Sequence, residues 1–303
     1  MSLVINHNMM AMTASRNLGS AFGNLATSTR RLSSGLRVDN AADDAAGLAI
    51  RELMRSDIRS LNQGVRNAND AISLIQTADG ALSVVDEKLI RMKELATQAS
   101  TGTYNSTQRL IIDSEYQAMA SEITRIANAT DFNGIYLLNG NLSGENSDHT
   151  GTGLNSTGPL KVHFGTGNDS AEDYYYIAIG TSTASALGLG HAAASKGSGN
   201  ANAGKSISTQ ALAQASLEAV QNAIVSKDKI RANLGALQNR LENTITNLSI
   251  QSENIQAAES QISDVDVASE MTEFTRQQIL SQSAVAMLSQ ANSLPQMAMQ
   301  LIR

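Results

Sequence analysis

From Leu61 to Ala99, apolar residues fall at 61, 65, 68, 72, 75, 78, 82, 85, 89, 92, 96 and 99, eleven steps over 38 residues. That is about 3.5 residues per step, the interval of a coiled-coil seam and far from the two-residue period of a strand. One step, Ile75 to Ala78, is irregular. The chain has only two prolines, Pro159 and Pro295, so nothing breaks a helix over most of either flank. A second seam runs through Ile230, Leu234, Leu237, Leu241, Ile245, Leu248, Ile255 and Ile262, passing over polar residues near 251 and 258. At 1.5 Å per residue each helix can span roughly 60 Å. A third helix is predicted over 106–130, "STQRLIIDSEYQAMASEITRIANAT", with Leu110, Ile111, Met119, Ile123 and Ile126 as its apolar side. The fold class is mainly α: a long coiled-coil or bundle rod assembled from discontinuous N- and C-terminal halves, with small β-hairpins near the centre.

The centre reads differently. "FNGIYLLNG" (132–140) and "KVHFGTGNDSAEDYYYIAIG" (161–180) read as short strands joined by Asn-Gly and Gly-Asn turns. Gly, Ser, Asn and Thr dominate 141–159 and 191–206, which reads as loop. Ser and Thr at 143–157 and 181–209 are candidate O-glycosylation sites.

Composition excludes several function classes. Charged residues are 17% and aromatics 3%, against about 25% charged in ordinary globular chains, so bulk comes from Leu, Ile, Val, Met and Ala. A net charge of −6 gives no overall attraction for nucleic acid or an acidic membrane. There is no cysteine, hence no disulfide or thiolate chemistry. The first residues, "MSLVINHNMMAMTASRN", lack the cationic start and unbroken apolar core of a cleaved secretory signal. No stretch approaches the ~20 apolar residues of a membrane span.

The two ends are the least ordinary part. Residues 1–29 carry only Arg16 as a fixed charge, and 274–303 only Arg276 and Arg303. Both hold apolar residues at helical spacing: Leu18, Phe22, Leu25 and Leu32 in one, Val285, Leu288, Leu294, Met297 and Leu301 in the other. Met9, Met10, Met12, Met287, Met297 and Met299 add a flexible apolar stock. Such segments bury too little alone to offset an ordering cost of ~1–2 kcal/mol per residue. They are predicted to stay disordered in the monomer and to fold as packed core between copies of the chain.

Between the first terminal segment and the first seam lies "NAADDAAGLAI" (40–50). Adjacent residues on a helix point about 100° apart, so Asp43 and Asp44 cannot serve as a general acid-base pair. The reading is a joint. Asn40, Asp43 or Asp44 caps a helix beginning at Ala45, with negative charge at its positive end. Arg37 is the cation predicted to pair with these acids if charge outweighs capping.

No other chemistry stands out. His7, His149, His163 and His191 form no HExxH pair, and the "GTG" at 151–153 and 165–167 has no phosphate-loop ending. "NDSAED" (168–173) lacks the glycine and closing Glu of a calcium loop. No catalytic residue, cofactor or metal is assigned.

Four motifs carry a resemblance: "RLSSGLRVDNAADDAAGLAI" (31–50), "RNANDAISLIQTADGAL" (66–82), "TDFNGIYLLNG" (130–140) and "MLSQANSLPQMAMQLIR" (287–303). In this order they closely resemble bacterial flagellin, the subunit of the flagellar filament, over about 1–140 and 205–303. Within 141–204, "KVHFGTGNDSAEDYYYIAIG" sits where the family places a hairpin of its inner rod domain, so the resemblance implies a short form with little or no outer domain. The resemblance implies an extracellular structural protein, exported without a cleaved signal peptide, that polymerises with itself for motility. It implies a terminal coiled domain of 1–42 with 264–303, and a rod of 43–263 with hairpins at about 130–180 and a variable exposed centre at 141–204. Implied partners are a flagellar export chaperone, the filament cap and hook-filament junction proteins. A junction protein with related helical ends is the alternative function. Arg91, Leu95 and Glu115 correspond to family positions read by the vertebrate Toll-like receptor for flagellin, an innate immune partner; Arg91 and Glu115 also read simply as ion-pair partners outside a bundle.

Overall fold

A computed structural model describes residues 8–142, 158–169, 172–189 and 204–301, with side chains from 294 onward left aside. Residues 143–157 and 190–203 of the candidate glycosylation segments, His7, His149 and His191, and the side chains of Leu294, Met297 and Leu301 lie outside what is described. The architecture is mainly α. The described residues form five helices, α1 (Met9–Ser34), α2 (Ala45–Ser100), α3 (Ser106–Ala129), α4 (Gln210–Ser263) and α5 (Val267–Leu301), and two small antiparallel pairs. These are β1 (Asp131–Phe132) with β2 (Ile135–Tyr136), and β3 (Leu160–His163) with β4 (Tyr174–Ile177). The β1–β2 turn is Asn133-Gly134, both at positive φ, the backbone that Asn-Gly tolerates best.

The chain divides into two compact units, 1–58 with 253–303, and 59–252. Within the second, every residue of the 61–99 seam is buried or half-buried. The buried stripe is wider than the seam, because Ala71, Leu74 and Leu95 are also covered. One core packs Val85, Leu89, Met92 and Leu95 against Tyr116 and Ile123 of α3 and Val220 of α4. The other packs Leu74, Ile75 and Leu82 against Leu137, Leu138, Ile177 and Leu234. Polar pairs fix the relative direction of α2 and α4 here: Lys93 to Gln221, Asp86 to Lys227, and Asp79 to Arg231, so the helices run antiparallel. Lys227 is 1% exposed, its ammonium 2.5 Å from Asp86 and 2.8 Å from Asp228.

The third helix packs Met119, Ile123 and Ile126 of its predicted apolar side on the core, but not the first two residues of that side. Leu110 and Ile111 are 57% and 67% exposed, and Ile112, Tyr116, Ala120 and Ile123 face inward. Orientation is set at Tyr116, whose buried hydroxyl donates to the Gly204 carbonyl at 2.9 Å. Asp113 adds to it by accepting from the Ile207 amide at 2.6 Å. Asn105 and Gln108 form a capping box at the helix start. The β3–β4 hairpin rests on α2 at Gly64, where an added Cβ would lie 2.0 Å from the Phe164 carbonyl oxygen. Asn67 donates to the His163 carbonyl at 2.8 Å, and Arg240 lies 3.6 Å over the Tyr175 ring.

Candidate assembly surface

The first unit is built on α1 and α5, which contact each other extensively and run in opposite directions, Asn8 reaching Ala291 and Arg31 reaching Glu270. Asn8 is the N-cap of α1: its Oδ1 accepts from the Ala11 amide at 3.0 Å while its Nδ2 donates to the Ala291 carbonyl at 2.7 Å. The buried and half-buried positions include Leu18, Ala21, Leu25, Ser28 and Leu32 in α1, and Gln277, Ser281, Ala284, Leu288 and Ala291 in α5. Both sets repeat in alternating steps of three and four, a seam that the sequence pattern hides because six of these ten members are Ala, Ser or Gln.

Leu18, Leu25, Leu32 and Leu288 are thus half-buried inside the subunit. Phe22 and Val285 are each 51% exposed and face away from that seam. Met9, Met10, Met12, Ile279, Leu280 and Met287 are exposed as well. From Gln277 to Ile302 no charged residue occurs. A helix pair with apolar residues on its outer sides and almost no charge is poorly solvated, and exposed patches of this kind mark contact surfaces. Between α1 and α5 a groove of about 740 Å³ opens, lined by Met9, Met10, Ala14, Leu280, Ala284 and Met287 together with polar side chains such as Thr13, Asn17, Asn24 and Gln277.

The joint begins where α1 ends. Gly35 takes the left-handed conformation (φ 73°), and its amide donates to the Arg31 carbonyl. The chain then pairs with the segment after α4: Arg37 N–H donates to Ser263 at 2.7 Å, Val265 N–H to Gly35 at 3.0 Å, and Leu36 and Asp264 form a bridge. Asp44 Oδ1 accepts from the Gly47 amide at 2.9 Å, the geometry of an N-cap for α2. Asp43 does something else. Both its oxygens accept from the Arg30 guanidinium at 3.1 Å, and one accepts from the Asn40 amide at 3.3 Å. The Asn40 amide first, and then the charges of Arg30 and Arg31, hold the Asp43 carboxyl below the usual carboxylate range, against the opposing effect of burial.

The cations facing Asp43 are Arg30 and, at 3.9 Å, Arg31; Arg37 is elsewhere, donating to the Ile262 carbonyl at 2.6 Å. Sequence reasoning also missed Arg51, 7% exposed, which donates to the Val38 carbonyl, and Asp266, which accepts from Ala268 N–H and Ser269 Oγ–H at the start of α5. The available signal was the adjacent pair Arg30-Arg31 in the last turn of a helix otherwise almost free of charge.

In the second unit, Arg91 donates through Nε and Nη2 to Glu115 at 2.9 and 2.8 Å, and through Nη1 to Glu94 at 2.9 Å. These carboxylates raise the Arg91 pKa further, Glu115 most. Leu95 does not join them at the surface: it is 1% exposed and part of the core. Among the described residues no group of three or more His, Asp or Glu is placed to hold a metal ion. No described helix is long and apolar enough to cross a membrane.

Comparison with known proteins agrees with this frame. The bacterial flagellin N-terminal helical region matches residues 5–143, and the bacterial flagellin C-terminal helical region matches 217–302. A flagellin of Halalkalibacterium halodurans is 40% identical over 301 residues, covering 99% of this chain and all of that one. The flagellar filament 33 kDa core protein of Treponema phagedenis is also 40% identical, again over 99% and 100% of the two chains. Among solved structures, Bacillus cereus flagellin aligns over 64% of this chain and 94% of its own at 27% identity, with a TM-score of 0.46. With both helical regions present in order and full-length relatives at this identity, the chain belongs to the bacterial flagellin family.

Proposed function

We propose that this chain is the structural subunit of a flagellar filament, polymerising with copies of itself outside the cell through α1 and α5. One observation carries the reading: the outer sides of both helices present Met9, Met12, Phe22, Ile279, Val285 and Met287 to solvent in segments with almost no charge. Burying each such side chain is worth about 1.5–3 kcal/mol. A free subunit forgoes that gain, and a lattice of copies collects it at every contact. Residues 1–42 with 264–303 form the packed core of the polymer in this account and lose order in the free subunit, while 43–263 stay folded. Leu294, Met297 and Leu301 belong to the same core by their spacing. The full-length relatives bear flagellin and filament names, which favours a polymer over a hook-filament junction protein.

The role is structural and involves no catalytic step or cofactor. Family membership supports export without a cleaved signal, escorted by a chaperone, and ordered assembly between junction proteins and a filament cap. It also supports reading by the vertebrate flagellin receptor, for which Arg91 and Glu115 supply the exposed grip and Leu95 the packing beneath them. Limited proteolysis tests the core assignment. Free subunit should lose about 30–60 residues from each end while the middle survives, and polymer should resist the same treatment. Equal resistance of both ends in the two states would refute it.

A further inference from the structure

The chain has 11 methionines, and those whose side chains are described range from fully buried to more than half exposed. Met92 is 0% exposed inside the second unit, whereas Met9, Met10 and Met287 are 63%, 49% and 59% exposed and together line the groove between α1 and α5. A thioether is apolar and adaptable, suited to packing against another surface, and it is also readily oxidised. We infer that Met9, Met10 and Met287 form an oxidation-sensitive site that switches the assembly surface off. The inference rests on the polymer reading above and adds to it a chemical control.

The reaction needs only a peroxide as co-reactant. A sulfur lone pair attacks one peroxide oxygen, the O–O bond breaks and an S–O bond forms. The sulfur loses two electrons, and the departing oxygen, reduced, leaves as water after taking up a proton. The product sulfoxide is polar and bulkier than the thioether, and burying it against the apolar side chains of a neighbouring copy costs free energy that the thioether does not. Three such groups lie in one groove, so every contact that uses the groove is affected. The same groove covered by a neighbouring copy is closed to peroxide, which makes the free subunit the vulnerable form and the finished polymer the protected one. Reduction by methionine sulfoxide reductases restores the thioether.

The test treats the purified full-length chain with hydrogen peroxide and follows each methionine by peptide mass spectrometry, then measures seeded elongation. Met9, Met10 and Met287 should convert well before Met92 in free subunit and slowly in polymer, and the oxidised chain should need about tenfold or more higher concentration to elongate. Reductases of both stereochemical classes with a thiol should return elongation to the untreated level. Peroxide should raise the concentration needed for elongation far less in the triple variant Met9→Leu, Met10→Leu, Met287→Leu than in the natural chain, with the exposed Met12 and Met271 accounting for what remains. Conversion of these three no faster than Met92, unchanged elongation after their full conversion, or no recovery once the thioethers are restored overturns the proposal. An untreated chain that does not elongate overturns the polymer reading instead, while the conversion order in free subunit still stands or falls by itself. Should the triple variant fail to elongate untreated, reductase rescue of the oxidised natural chain decides.

Discussion

Three glycines inside helices separate packing from propensity. Gly64 and Gly80 lie in α2 and Gly235 in α4. A Cβ at Gly80 or Gly235 meets nothing within 4 Å, so Gly→Ala there should stabilise by about 0.5–1 kcal/mol through helix propensity alone. At Gly64 the same Cβ would sit 2.0 Å from the Phe164 carbonyl oxygen, a backbone atom that no rotamer change can move. To reach ordinary contact near 3.4 Å the β3–β4 hairpin must retreat by roughly 1.4 Å. That retreat breaks the Asn67 to His163 hydrogen bond, worth about 0.5–1.5 kcal/mol, and loosens Phe164, now 2% exposed, whose burial is worth about 1.5–3 kcal/mol. With the propensity gain set against these losses, Gly64→Ala should destabilise by about 1–3 kcal/mol. Urea unfolding of the three single variants, followed by far-ultraviolet circular dichroism and by the near-ultraviolet signal of the tyrosine-rich hairpin, reads this directly. A Gly64→Ala midpoint at or above that of Gly80→Ala would refute the account of how the hairpin is seated.

Three further outcomes follow from the joint and the buried ion pair. Asp44→Ala should cost about 0.5–2 kcal/mol and Asp44→Asn far less, since Asn keeps an oxygen for the Gly47 amide; thermal unfolding of the two variants checks the difference. Asp43 and Asp266 both have carboxyl pKa values held below the ordinary 3.8, Asp43 by the Asn40 amide and Asp266 by the Ser269 hydroxyl foremost. Because folding depresses these values, their stabilisation is complete above the ordinary value and drains away as pH falls through the depressed one. Order in the terminal segments of the assembled polymer should therefore weaken below about pH 4. Asp43→Asn with Asp266→Asn should flatten that acid dependence in a circular dichroism titration. Lys227→Met should cost about 1–3 kcal/mol by stranding Asp86, and adding Asp86→Ala should recover part of the loss, measured as urea midpoints.

What could be read from the sequence followed the contrast between side chains. The 61–99 seam is legible because Leu, Ile, Val and Met alternate with polar residues, and all twelve positions are covered in the fold. The seam between α1 and α5 is not, because Ala21, Ser28, Gln277 and Ser281 occupy its positions and apolarity does not mark them. Phe22 and Val285, the conspicuous apolar residues there, lie outside it. Lys227 did leave a trace: it falls at seam spacing between Ala223 and Ile230, where a cation is tolerable only with a partner such as Asp86. Leu110 and Ile111 misled because Tyr116, tied to Gly204 from a distant segment, fixes the rotation of α3. At the joint, "DNAADDAAG" announces a helix start, but which arginine meets Asp43 depends on the left-handed turn at Gly35, a tertiary fact no local pattern contains.

The central claim is that α1 and α5 are the contact surface of a self-assembling filament. It is tested most directly by electron microscopy of purified chain after seeding, with Leu288→Asp beside it. Leu288 is half-buried in the α1–α5 seam, and an aspartate there would leave an unpaired carboxylate in every packed subunit. The natural chain should give long filaments whose length grows with subunit supply, and the variant should give folded, secreted monomer and no filament. Filaments of normal length from Leu288→Asp, or a natural chain that caps seeds without extending them, would contradict the account.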